Sequence, residues 1–107
     1  MATFFIFGKY SATAAEGITA ERTEKVRQVI EKLHGRVRDI YVLLGEYDVV
    51  IIADLPQMAE AMQASVALKK LTDIAFFTVA AMPIAEFDSL FGGSPSEKPR
   101  KGTKKRP

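Results

Sequence analysis

The 107-residue chain contains no cysteine and a single histidine, His34. Without thiols there is no disulfide framework, no thiolate metal site and no cysteine nucleophile. One histidine leaves no recognisable metal-ligand set, and a Ser/His/Asp triad cannot be inferred from scattered residues. Long hydrophobic runs are missing as well. The apolar start, Phe4-Phe5-Ile6-Phe7, is too short to span a membrane and lacks the basic flank of a signal peptide. Gly8-Lys9-Tyr10-Ser11 lacks the upstream glycine of a phosphate loop. The expectation is a cytoplasmic protein with no metal, no cofactor and no membrane contact, whose N-terminus is a mature strand.

The remaining composition, 48% hydrophobic and 26% charged, is that of a globular domain of one core. A domain of this size buries only about 60–70% of its unfolded surface, so burial against a partner adds needed stability. The formal charge of +2 hides an asymmetry. Residues 1 to 91 carry nine Lys/Arg against twelve Asp/Glu, whereas residues 92 to 107 carry six against one. The latter stretch has no apolar side chain except proline rings, which predicts a disordered basic tail behind a folded domain at 1–91. The high pI therefore gives no reason to read the domain as a nucleic-acid binder. The tail, through Lys98, Arg100, Lys101, Lys104, Lys105 and Arg106, is expected to make only weak, sequence-blind contact with polyanions.

Thr3 to Tyr10 is rich in Phe and Ile and predicts a strand, with Gly8 marking a bulge or a close approach. Ser11 to Gly17 reads as a loop. Thr19 is the expected N-cap of a helix in which Val26, Val29, Ile30 and Leu33 form one apolar stripe. His34 suits its last turn and Gly35 its C′ position. Val37 to Leu44 and Tyr47 to Ala53 are β-branched and aromatic, and the Gly45-Glu46 pair between them predicts a two-residue type II′ hairpin. Asp54 is a candidate cap for a core helix over Gln57 to Leu71, whose Gln57, Glu60, Gln63 and Lys70 face water. Ala75 to Met82 predicts a fourth strand, ended by Pro83. Ile84, Phe87, Leu90 and Phe91 then form an amphipathic turn able to dock on the body.

Strand, helix, strand, hairpin, strand, helix, strand is the ferredoxin-like β-α-β-β-α-β order of an α+β fold, with a four-stranded antiparallel sheet and both helices on one face. Every strand is apolar on both sides: Phe4/Ile6 oppose Phe5/Phe7, and Val49/Ile51 oppose Val50/Ile52. Two helices cover one face only. At about 25 cal/mol per Å² the other is costly to leave wet, so it predicts a homodimer paired through the sheets, with higher oligomers open to it. The alternative is a monomer whose face is covered by Ile84 to Phe91.

Gly45-Glu46-Tyr47-Asp48, with Gly8-Lys9-Tyr10, Arg22-Thr23, His34-Gly35 and Phe87, resembles the GYD-domain family over about residues 3 to 90. The resemblance implies a dimeric α/β barrel and brings no established activity. Leu44 to Val50 also resembles the Gly-x-Tyr-Asp turn in effector domains of leucine-responsive and asparagine-type bacterial regulators. That likeness implies amino-acid binding near the turn and carries over only Gly45, Tyr47 and Asp48. No helix-turn-helix pattern precedes Thr3.

The candidate ligand-binding set is therefore Gly45, Tyr47, Asp48, Lys9 and Arg22. Aspartate is disfavoured in strands, so Asp48 needs a partner, either turn amides or a ligand amine or cation. Lys9 and Arg22 either bind an anion or merely pair with Asp48 or Glu46. The leading expectation is a non-enzymatic small-molecule-binding or sensing module. A cofactor-independent oxygenase or isomerase of the dimeric barrel type, and a plain assembly domain, are the alternatives.

Overall fold

A computed structural model describes residues 1–11 and 19–92. The predicted loop lies outside this range from residue 12, and the basic tail from residue 93. The elements are β1 (Ala2–Lys9), α1 (Ala20–Lys32), β2 (Arg36–Val42), β3 (Val49–Leu55), α2 (Met58–Thr72), β4 (Ala75–Ala81) and α3 (Ile84–Leu90). The sheet order is β2-β3-β1-β4, with every neighbouring pair antiparallel. Two interleaved split β-α-β units result, which is the ferredoxin-like layout.

One face of the sheet lies under α1 and α2. Phe4 and Ile6 of β1 align with Ala53 and Ile51 of β3, and these pack with Val26, Ile30, Ala61, Ala64 and Leu68 from the helices. Ile6, Ile30, Leu55 and Leu68 are the largest fully buried side chains. The narrow Ala61 and Ala64 let α2 approach the sheet closely, while Ser65 bonds Thr78 of β4 at 2.7 Å.

Glycine and capping positions explain where the elements end. The Thr19 hydroxyl accepts the Arg22 N–H at 3.0 Å, so the expected N-cap of α1 is present. At the other end of α1 the C′ residue is His34 rather than Gly35. His34 has φ 66° and donates to Glu31 O, while the Gly35 N–H reaches Ile30 O. These two bonds make a Schellman motif. Gly35 serves another purpose: a Cβ there would collide with the Asp54 carbonyl and lie 2.6 Å from Leu55 Cδ2. Gly8 is likewise a close approach, since a Cβ would meet Ile74, Phe76 and Val49 side chains at 2.8–2.9 Å, and β1 pairs through it without a bulge.

Three expectations are corrected and one alternative is set aside. The β2–β3 connection is not a two-residue type II′ hairpin but a six-residue loop, 43 to 48, with Gly45 at a nearly extended φ of 159°. A type II′ turn needs φ near +60° at its first central residue. Asp54 caps no helix; it lies inside β3, and the N-cap of α2 is Gln57 without a side-chain bond. On α2, Gln57, Gln63 and Lys70 face water as expected, but Met58, Met62 and Val66 are exposed beside them, and Glu60 Oε1 is buried without a hydrogen-bond partner among the described residues. Finally, the alternative in which Ile84 to Phe91 covers the second sheet face in a monomer is not observed. All residues of α3 are exposed, Ile84 by 71%, so it does not cover the second face of the sheet.

Candidate functional site

That second face is open and apolar. The pleat places Phe5, Phe7, Val50, Ile52, Phe77 and Val79 together on it, since Phe5 aligns with Ile52 and Val79, and Phe7 with Val50 and Phe77. Phe77 and Tyr41 keep 53% and 52% of their surface accessible. A row of rings crosses the face: Phe5–Phe7 at 6.4 Å, Phe7–Tyr47 at 5.4 Å, and Tyr47 stacked on Phe77 at 6.2 Å. These spacings are those of favourable aromatic pairs.

The five residues singled out from sequence gather at one end of the sheet. Lys9 Nζ donates to the Glu46 carbonyl at 2.7 Å, and the Tyr10 N–H donates to Asp48 Oδ2 at 2.8 Å. The Asp48 N–H in turn reaches Gly8 O at 2.9 Å, and its carbonyl accepts from Leu43 N–H at 2.8 Å. Arg22 lies 6.0 Å from the Tyr10 ring centroid, a cation–π distance. Gly45 has open space where a Cβ would stand. Tyr47 alone of the five is in the aromatic row. Lys9 and Asp48 thus hold the loop to the end of β1.

The opposite end of the same face carries a group that residue pattern alone did not reveal. Asp54, 7% exposed, accepts the Thr3 hydroxyl at 2.8 Å and the Arg36 Nε–H at 3.1 Å, with Arg38 Nη1 at 3.8 Å. Burial opposes ionisation of Asp54. The hydrogen bonds from Thr3 and Arg36, with the charges of Arg38 and Arg36, outweigh it and hold the carboxyl below the ordinary aspartate value.

Asp39 joins Arg38 on this face because of an irregularity. In the β2–β3 register Val37 faces Ala53 and Asp39 faces Ile52, so Arg38 is skipped. Strict alternation would send Arg38 and Asp39 to opposite faces, whereas a bulge re-aims a side chain. Both instead line one cavity of about 320 Å³ with Thr3, Phe5, Ile52, Ala81, Met82 and Pro83. It has an apolar floor and two opposite charges at its rim, a volume at the lower end for small-ligand sites. The only sequence signal for it was Asp54, a carboxylate within an otherwise apolar strand.

Residues 4–91 match the GYD domain. The chain belongs to the GYD domain family. No curated protein matches it. Among solved structures, this GYD domain is similar to FFRP-DM1, with 26% identity and a TM-score of 0.56 over 77% of this chain and 100% of that one. It also shares its fold with the leucine response regulatory protein LrpA of Mycobacterium tuberculosis, at 8% identity and a TM-score of 0.52, over 77% of this chain and 51% of that one. Among the described residues of the GYD domain, no group of three or more His, Cys, Asp or Glu side chains is placed to hold a metal ion. No described helix is long and apolar enough to cross a membrane.

Proposed function

We propose that this GYD domain is a non-enzymatic small-molecule-binding module that pairs with a second copy through the open face of its sheet. The observation that carries the reading is the cavity on that face, with Arg38 and the bulge-directed Asp39 at its rim. Pairing would shield its apolar floor, and the aromatic row from Phe5 to Phe77, Tyr47 included, would line the interface. Lys9, Gly45 and Asp48 then shape the far end of the sheet, where Arg22 of α1 approaches Tyr10 from the helix side.

The opposite charges at the rim suit a dipolar ligand with an apolar body. Arg38 contacts Asp54 only at 3.8 Å, and Asp54 is already bonded to Thr3 and Arg36, so the Arg38 guanidinium retains donors for a ligand carboxylate. Asp39 would take an ammonium. Apolar α-amino acids are the first candidates, in keeping with the likeness to a leucine response regulatory protein. Catalysis is less well supported: Asp54, the buried carboxylate beside this cavity, is held ionised by its partners, which makes it a poor proton acceptor. Cysteine-free composition supports a cytosolic placement, and the basic stretch at 92–107 supports weak polyanion contact with a log-affinity against log-salt slope of at most about −5.

Thermal melting of the full chain with leucine, isoleucine, methionine or phenylalanine tests the binding reading. At least one should raise the melting temperature in a saturable way, and Arg38→Ala should abolish the rise. No stabilisation by any of them, or a rise unaffected by Arg38→Ala, would contradict this site.

A further inference from the structure

Among the described residues nothing buries any side chain of the seven-residue helix α3. Ile84, Phe87, Leu90 and Phe91 follow helical spacing, yet all are exposed, Phe91 by 75%, and the Phe87 and Phe91 rings touch only each other among the aromatic contacts, at 4.9 Å. Isolated helices shorter than about 12 residues are marginal in water. A stable α3 therefore needs a surface to lie on, and the described residues of its own protomer do not bury it.

Besides the open sheet face, a second apolar surface is unpartnered among the described residues. Met58, Met62 and Val66, spaced i, i+4, i+8 along α2, point away from the sheet and are exposed. Beside them runs a groove of about 400 Å³ lined by Met62, Gln63, Val66, Ala67 and Lys70. At about 1.5 Å per residue the α2 stripe is ~12 Å long and the run from Ile84 to Phe91 ~10 Å, so the two match in length.

Charge selects between the two surfaces. α3 carries Glu86 and Asp88 and no cation. The sheet face presents Arg38 beside Asp39, which largely cancel, whereas the α2 groove presents Lys70 with Lys69 one residue before it. Lys69 is paired with Asp73 at 3.3 Å, and Lys70 makes no ion pair among the described residues. An acidic amphipathic helix and a basic apolar groove of the same length are complementary.

We propose that α3 of one copy seats in the α2 groove of another copy, with Glu86 or Asp88 facing Lys70. The contact joins different surfaces of the two copies, so it is heterologous and builds a ring or an open chain rather than a closed pair. It is separate from the pairing of sheet faces, and the two together would link dimers into larger assemblies.

Sedimentation velocity of the full chain over a concentration series tests this. The wild-type chain should form species larger than a dimer. Phe87→Asp with Phe91→Asp should remove them and leave the dimer, and folding should persist because both rings are exposed. Lys70→Glu should weaken the larger species by at least about fivefold, and adding Glu86→Lys to it should restore them. Three results would overturn the proposal: a wild-type chain that never exceeds a dimer, larger species unaffected by the paired Phe substitutions, or loss of the dimer itself in that variant, which would place α3 on the sheet face. A wild-type monomer that keeps larger species out altogether would instead count against the sheet pairing as well.

Discussion

The Asp48 carboxylate accepts the Tyr10 backbone N–H at 2.8 Å, so a residue of the β2–β3 loop closes the end of β1. With the Asp48 N–H on Gly8 O and Lys9 on the Glu46 carbonyl, the loop is tied to β1 from both sides. Asp48→Ala leaves that amide without its acceptor and should cost about 1–2 kcal/mol, seen as a lower melting temperature in the ligand-free protein. Asp48→Asn keeps an acceptor oxygen and should cost less. Unchanged stability in Asp48→Ala, together with lost ligand response, would make Asp48 a ligand anchor instead.

Gly35→Ala should be among the most destabilising single-methyl changes in the chain. The added Cβ collides with the Asp54 carbonyl, which is backbone, and with Leu55 Cδ2, whose side chain is fully buried and has little room to give way. Overpacking of this kind costs about 1–3 kcal/mol. Chemical denaturation of the variant checks it, and a change below that range would mean that the α1–β2 turn shifts freely.

His34→Gly should act in the opposite direction. His34 holds the left-handed conformation at φ 66°, where a side chain costs roughly 1 kcal/mol and glycine nothing. A higher denaturation midpoint is expected, and a lower one would show that the imidazole makes a compensating contact.

Asp54 makes stability pH-dependent. Its folded pKa lies below the unfolded one, so its stabilising effect is complete above the ordinary aspartate value and is lost as the pH falls through the folded value. Asp54→Asn should flatten the acid side of the stability profile and lower stability at neutral pH. An acid limb identical in variant and wild type would contradict the assignment of Thr3 and Arg36 as its partners.

The fold was legible because its signals are local and repeated: doubly apolar strands, the Thr19 cap and the Val26-Ile30 stripe each specify an element on their own. The β2–β3 loop was misread because Gly45-Glu46 has the composition of a tight turn, whereas the register is set by Val42 facing Val49 and by Asp48 reaching Gly8 and Tyr10, contacts made across the sheet. The cavity was not legible for a similar reason. Arg38 and Asp39 share a face only through a skipped register position, and Thr3, Arg36 and Asp54 converge from three strands. The spacing of α3 shows that it needs an apolar partner without showing which one.

The pairing of open sheet faces is the claim on which the rest stands, and sedimentation equilibrium of the chain carrying Phe87→Asp and Phe91→Asp tests it most directly, since that background removes the helix contact. The background chain should have the mass of a dimer. Adding Phe77→Asp, at a half-exposed ring of the edge strand β4 on the open face, should yield a folded monomer with an unchanged circular dichroism spectrum. A monomer before Phe77 is altered, or a dimer that survives its alteration, would contradict the account.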